Sequence, residues 1–302
     1  MSLLEFLSEF AYRRIVVGTA LIGLCSGAMG VFLYLRRQSL MSDVIGHAAT
    51  PGVMGAFLFM ASTPALSQSQ WLQAANIDAR SMPVMTLGAL VSSLLAVILA
   101  NWVASTTRIG IDTTMAVMFS LFLGGGLLLL QVIQRSTLPG KGGIEELMFG
   151  NAATLTNLDV TTILVVTIVV FATVIVLWRP FTVMTFDPTL ARMTGIPRIL
   201  DALLLGLLVL GIVIGVKAVG LILMIAFAVF PPAAARQWSR TTASMFVIAG
   251  ILGGIAGVVG TYLSVVVGKI PTGPVIVLVL AVVVALSLLL SPKRAGAVKG
   301  AL

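Results

Sequence analysis

The sequence predicts an all-α polytopic membrane protein of eight or nine transmembrane or re-entrant helices, and three observations carry that prediction. Of the 302 residues, 59% are hydrophobic and only 9% are charged, with a mean hydropathy of +1.14. No water-soluble core of this size needs so much apolar surface, so the chain belongs in a bilayer. A hydrocarbon layer of roughly 30 Å is crossed by about 20 apolar residues in a helix. Stretches of that order with few or no charges fall at 13–35, 44–61, 83–105, 111–133, 160–178, 201–216, 218–235, 243–267 and 272–291. The third observation is that the basic residues sit in the short connections between these stretches.

The net charge of +8 therefore orients the chain and does not mark a nucleic-acid surface. With the N-terminus outside and all nine segments crossing, the inner connections hold Arg36, Arg37, Arg108, Arg179, Arg192, Arg198, Arg236, Arg240, Lys293, Arg294 and Lys299. The outer ones hold Arg13, Arg14, Arg80, Arg135, Lys141, Lys217 and Lys269. Eleven against seven favours this orientation under the positive-inside rule and leaves the C-terminus cytoplasmic. Trp71, Trp102, Trp178 and Trp238 fall near segment ends, where indoles settle at the membrane interface.

The opening stretch MSLLEFLSEFAYRR puts Leu3, Leu4, Leu7, Phe10 and Ala11 on one stripe, which predicts an interfacial helix. Glu5 and Glu9 stand where a signal peptide would carry positive charge. The first segment holds the lone cysteine, Cys25, expected to be packing, together with Gly23 and Gly27 spaced as GxxxG. Gly211 with Gly215 and Gly253 with Gly257 repeat that spacing, which lets helix backbones approach closely. The second segment is interrupted by Pro51 and Gly52, where a kink is expected and freed carbonyls would line a polar path. Gly124, Gly125 and Gly126 are a candidate loosening of the segment at 111–133. The segment at 218–235 runs into Pro231 and Pro232, which marks it as a broken or re-entrant helix and leaves the count at eight or nine. The longest polar connections, 62–82, 134–159 and 179–200, hold no soluble domain, so 1–302 is expected to be one transmembrane domain with its membrane core at 13–291. The run LPGKGG lacks the spacing and hydroxyl of a nucleotide-binding loop.

Ionisable side chains inside a membrane cost on the order of 2.5–3.5 kcal/mol each and call for a reason. Glu5, Glu9, Asp78, Glu145, Glu146 and Asp187 fall in connections, and Asp112, Asp159 and Asp201 at span ends, where solvated or capping carboxylates are expected. Asp43 differs, because it opens the second segment four residues before His47, the only histidine. That separation puts both side chains on one face of a helix, one turn apart. Imidazole and carboxylate suit zinc, iron or manganese, and two ligands hold an ion weakly enough to let it pass, with a symmetry-related copy supplying four. From spacing alone the alternative stays open, and ahead of the metal reading: Asp43 caps the helix and His47 hydrogen-bonds to it.

The connection TFDPTLARMTGIPRILD has the marks of a short surface helix. Asp187 is placed to cap it, Pro188 takes the favoured first position, and Leu190, Ala191 and Met193 give apolar contacts. Arg192 lies in its last turn, and Gly195 with Pro197 stops it.

At these residues the chain resembles the metal-uptake permease family of ABC importers, which serves zinc, manganese and iron. The resemblance spans nearly the whole chain through LRRQSLMSDVIGHAATPG (35–52), FDPTLARMTGI (186–196), VGLILMIAFAVFPPAAAR (219–236) and GTYLSVVVGKIPTGPVIVLV (260–279). Ser42 stands where that family commonly has glycine, and Gly46 where it commonly has serine. The resemblance implies a bacterial inner-membrane permease, not an enzyme, working with a second permease, a cytoplasmic ATPase dimer and an extracellular metal-binding protein. It implies that Asp43 and His47 are half of an in-membrane metal site and that 186–198 is the coupling helix, with Asp187, Pro188, Leu190, Ala191, Arg192 and Gly195 meeting the ATPase. The divalent metal is cargo and no cofactor is bound permanently; Mn²⁺ or Fe²⁺ is favoured, with Zn²⁺ close behind. The alternative is a stand-alone secondary transporter or channel using the same pair as an ion relay.

Overall fold

Helix α1 (Phe10–Leu35) runs through the middle of the bundle. It has no polar face to present, and Ile22, Cys25, Ala28, Met29 and Phe32 are fully buried, as expected of a helix that is apolar all round. The computed structural model describes residues 10–63, 78–79, 81–138, 142, 155–267 and 270–291, and among these every regular element is helical. After α1 come α2 (Leu40–Ser62), α3 (Met82–Thr106), α4 (Ile111–Arg135), α5 (Asn157–Val176), α6 (Trp178–Phe186) and α7 (Pro188–Met193). The remainder is α8 (Arg198–Val213), α9 (Val216–Val219), α10 (Leu221–Trp238), α11 (Thr242–Val267) and α12 (Thr272–Leu289). Seven of them, α1 to α5, α11 and α12, are long and apolar enough to cross a membrane, and α8 adds a shorter apolar helix.

Two packed groups make up the bundle. In the first, α1 lies along α11 as its principal partner, with α10 and α12 completing the layer. The three GxxxG pairs serve this packing within the chain. A Cβ on Gly23 would sit 2.7 Å from the Gly253 carbonyl carbon, and one on Gly257 would sit 2.6 Å from the Thr19 carbonyl oxygen. Gly211 and Gly215 face Met29 and Ile22 of the same α1. Thr19 and Thr261 hydrogen-bond across α1 and α11 at 3.0 Å, and Ser26 Oγ donates to the Gly211 carbonyl at 2.9 Å. In the second group α2 packs on α3 and α4, while α1 and α2 barely touch; α8 and α10 bridge the groups.

Two expectations change. No break falls at Pro231 and Pro232, because α10 is helical through both prolines to Trp238. The break lies upstream, at Ile214–Gly215 and at Gly220, whose φ of 83° is a left-handed conformation that glycine adopts without strain. At the far end of α10 the Trp238 indole donates to Ser287 Oγ at 2.7 Å, which donates to the Ala234 carbonyl at 2.9 Å, tying the helix to α12. The connection at 179–200 is also more helical than its polarity suggested. After a turn at Leu177, α6 continues to Phe186, with Pro180 in its first turn, where a missing N–H costs no helix bond. Phe32 holds α6 in place through edge contacts with Trp178 and Phe181, at centroid distances of 6.0 and 6.4 Å. The interfacial stretch at residues 1–9, Trp71, Arg80, residues 139–141 and 143 of the LPGKGG run, Glu145, Glu146, Lys269 and the basic residues after 291 lie outside the described residues.

Candidate metal site and coupling surface

Asp43 and His47 lie on α2, which is one continuous helix through Pro51 to Ser62. In its first three turns the residues that are not buried are Leu40, Asp43, His47 and Pro51, and Gly52, Gly55 and Phe59 extend this stripe. The stripe is edged by α3 at Gly52 and by α4 at His47 and Pro51, and it opens out of the bundle at Gly55, where a Cβ would meet nothing within 4 Å.

The geometry removes the capping alternative. The N-cap position is Ser39, with Asp43 already inside the helix, and no hydrogen bond joins Asp43 to His47. His47 Nδ1 is buried without a partner, and Phe119 of α4 packs edge-on against the imidazole at a centroid distance of 4.5 Å. Pro51 has no N–H, so the carbonyl deprived of its helix donor is that of His47 itself. An imidazole nitrogen, a carboxylate and a carbonyl that lacks its usual helix donor, on one stripe, are donors for a borderline or hard divalent ion. Among the described residues, no group of three or more His, Cys, Asp or Glu side chains comes together. One chain thus offers two side-chain ligands.

Neighbouring helices set the position of α2. Gly52 and Gly88 bring α2 and α3 into backbone contact, and Ser93 Oγ of α3 donates to the Ile45 carbonyl at 2.9 Å. On the other side Gly126 of α4 fits against Thr50 and Pro51, where a Cβ would sit 2.8 Å from Thr50 Cγ2 and 3.1 Å from Pro51 Cδ. Gly124 and Gly125 meet nothing within 4 Å, so of the glycine triplet only the third makes this contact.

The second sequence-derived site forms a hard-edged feature at one end of the bundle. Asp187 caps α7, its Oδ1 accepting from the Thr189 and Leu190 N–H groups at 3.0 and 2.9 Å. Pro188 takes the first helical position, and Gly195, at φ 75°, closes the helix with the Ile196 N–H donating to the Ala191 carbonyl at 3.0 Å. Of the three apolar residues in α7 only Ala191 is buried; Leu190 and Met193 are exposed, Met193 at 81%, and Phe186 just before the helix at 59%. Arg192 is exposed beside them. Pro231 and Pro232 are buried in α10, away from both features.

Sequence reasoning missed one connection. Arg36 Nη2 meets Asp201 Oδ1 at 2.8 Å, joining the α1–α2 turn to the first turns of α8. A carboxylate at a span end suggested only solvation or capping, as Asp159 does show in its capping box with Thr156.

Three comparisons bear on these features. The membrane protein TroC of a zinc transport system from Treponema pallidum is 35% identical over 294 residues, covering 97% of this chain and 93% of that protein. MntC, of a manganese transport system from Bacillus subtilis, is 35% identical over 286 residues; that match covers 94% of this chain and 62% of MntC. The structure of PsaBC from Streptococcus pneumoniae in complex with Fab superposes with a TM-score of 0.79 at 26% identity, covering 97% of this chain and 96% of that one. The chain is a multi-pass protein of the bacterial cytoplasmic membrane and a transport permease subunit. Residues 9–291 match the family described as ABC 3 transport, and the chain belongs to it.

Proposed function

We propose that this chain carries Mn²⁺ or Zn²⁺ into the cytoplasm as one of two permeases in an ATP-driven importer, with Asp43 and His47 as its ligands. The outward stripe on α2 carries the proposal. An aspartate and a histidine only partly buried on one face of a membrane helix cannot be left against lipid at on the order of 2.5–3.5 kcal/mol apiece. A second permease packed on this face covers them and brings its own ligands, turning two side chains into four. Manganese and zinc are the ions named in the relatives; iron is not.

The exposed Phe186, Leu190 and Met193 around α7 support docking of a cytoplasmic ATPase. A short, capped and apolar projection in water is an interaction surface. This requires the α7 end of the bundle to be cytoplasmic and the opposite end to receive metal from an extracellular binding protein.

The test is metal uptake by the co-expressed complex reconstituted in vesicles, with Mn²⁺, Zn²⁺ and Fe²⁺ in competition. His47→Ala should assemble with its partners yet lose at least tenfold in uptake at low metal. Wild-type accumulation by an assembled His47→Ala complex would sink the site, and uptake without any ATPase would sink the importer.

A further inference from the structure

We infer that the Arg36–Asp201 ion pair is the strut through which the coupling segment moves the metal-bearing helix; this rests on the ATPase docking at α7 proposed above. The pair lies between two described residues, 2.8 Å from Arg36 Nη2 to Asp201 Oδ1, and it joins two elements 165 residues apart in sequence.

Each side of the pair is rigid. From α7 the chain passes through a closed turn, with the Thr194 and Ile196 N–H groups bonded to the Leu190 and Ala191 carbonyls, into α8, whose fourth residue is Asp201. A push on α7 is therefore a push on Asp201. Opposite it, α1 ends with the N–H groups of Arg36, Arg37 and Gln38 bonded to the carbonyls of Phe32, Tyr34 and Leu33. Arg37 takes the left-handed conformation at φ 57°, and α2 begins at Leu40. Arg36 is thus fixed to the corner from which α2 starts, with Asp43 seven residues and His47 eleven residues further on. Direct packing of α2 on α8 is slight and on α1 slighter.

The contact also has room for a second arrangement. Arg36 is 12% exposed, and its Nε is buried without a partner, so the guanidinium grips the carboxylate with one bond where its fork can make two. Beside it lies a cavity of about 400 Å³, lined by Arg36, Asn101, Thr185, Ala191, Arg192 and Asp201, bordered by α6, α7, the start of α8 and the ends of α1 and α3. Movement of α8 into that space lets Nε engage. A link with two discrete states is what coupling between distant sites requires.

The experiment uses the full complex in vesicles and measures metal transported per ATP hydrolysed, alongside ATPase co-purification. Arg36→Ala and Asp201→Asn are each expected to lower that ratio at least tenfold while ATP hydrolysis and assembly stay near wild type. The swap Arg36→Asp with Asp201→Arg is expected to recover most of it. A wild-type ratio in the assembled Asp201→Asn complex, which keeps the side chain's shape, overturns the strut. So does a deficit confined to assembly or thermal stability, or an assembled swap with no recovery. A wild-type chain that binds no ATPase overturns the docking proposal itself, a result separate from all of these.

Discussion

Gly52→Ala places a methyl group where α2 and α3 meet backbone to backbone. The added carbon would press on the Gly88 carbonyl oxygen and lie 2.6 Å from its carbon and 2.7 Å from Ser92 Cβ, against an ordinary contact of 3.4–4 Å. A carbonyl in a helix cannot rotate aside, so the helices must part by about 1 Å, and overpacking of this kind costs roughly 1–3 kcal/mol. A functional constellation works only within about 0.5 Å of its productive geometry, and His47 sits five residues from the wedge. Uptake of Mn²⁺ by the reconstituted complex, measured as an initial rate across metal concentrations, should show the half-saturating concentration raised about tenfold, equivalent to 1.4 kcal/mol. Melting followed by fluorescence-detected size exclusion should show a lower midpoint. Gly206→Ala is the control, since its Cβ meets nothing within 4 Å. Normal uptake and melting in Gly52→Ala, or equal damage from Gly206→Ala, would refute the reasoning.

The glycine triplet of α4 should divide in the same assay. Gly126→Ala, which crowds Thr50 and Pro51, should reduce uptake several-fold, whereas Gly124→Ala should not, and equal effects would show that helix flexibility matters more than the contact. Phe119→Leu removes an edge-to-face contact on the His47 ring, of a kind worth about 0.5–1.5 kcal/mol. It should weaken metal affinity by calorimetry on the assembled complex, with assembly unchanged. Asp187→Ala removes a cap worth about 1 kcal/mol, which should reduce ATPase co-purification without altering the melting of the membrane bundle.

The features legible in the sequence are those that depend on local chemistry. A run without charge signals a span whatever surrounds it, and Asp-Pro followed by Gly-x-Pro encodes the cap and stop of α7 through the backbone of those residues alone. Asp43 and His47 were recognisable as neighbours because four residues make one helical turn. What stayed hidden depends on which surfaces meet. Nothing local distinguishes Gly126 from Gly124, since the difference is the presence of Thr50 across the interface. Arg36 and Asp201 pair only because two turns 165 residues apart converge. Pro231 and Pro232 were misleading for a related reason: proline weakens a helix locally, but packing in a bundle can keep the segment helical, and the interruption falls instead at Gly220, whose positive φ suits glycine.

The stripe on α2 also bears on how such a subunit is made. A chain inserted into the membrane ahead of its partner would leave a carboxylate and an imidazole only partly covered, with Phe119 packed on one edge of the ring and the rest of the stripe open. Its polar seam would then act as a mark of incompleteness, open to the proteases that patrol the bilayer and erased only when a second permease docks. The residues proposed to meet the cargo would thereby also enforce the stoichiometry of the assembly, and subunits left without a mate would be short-lived.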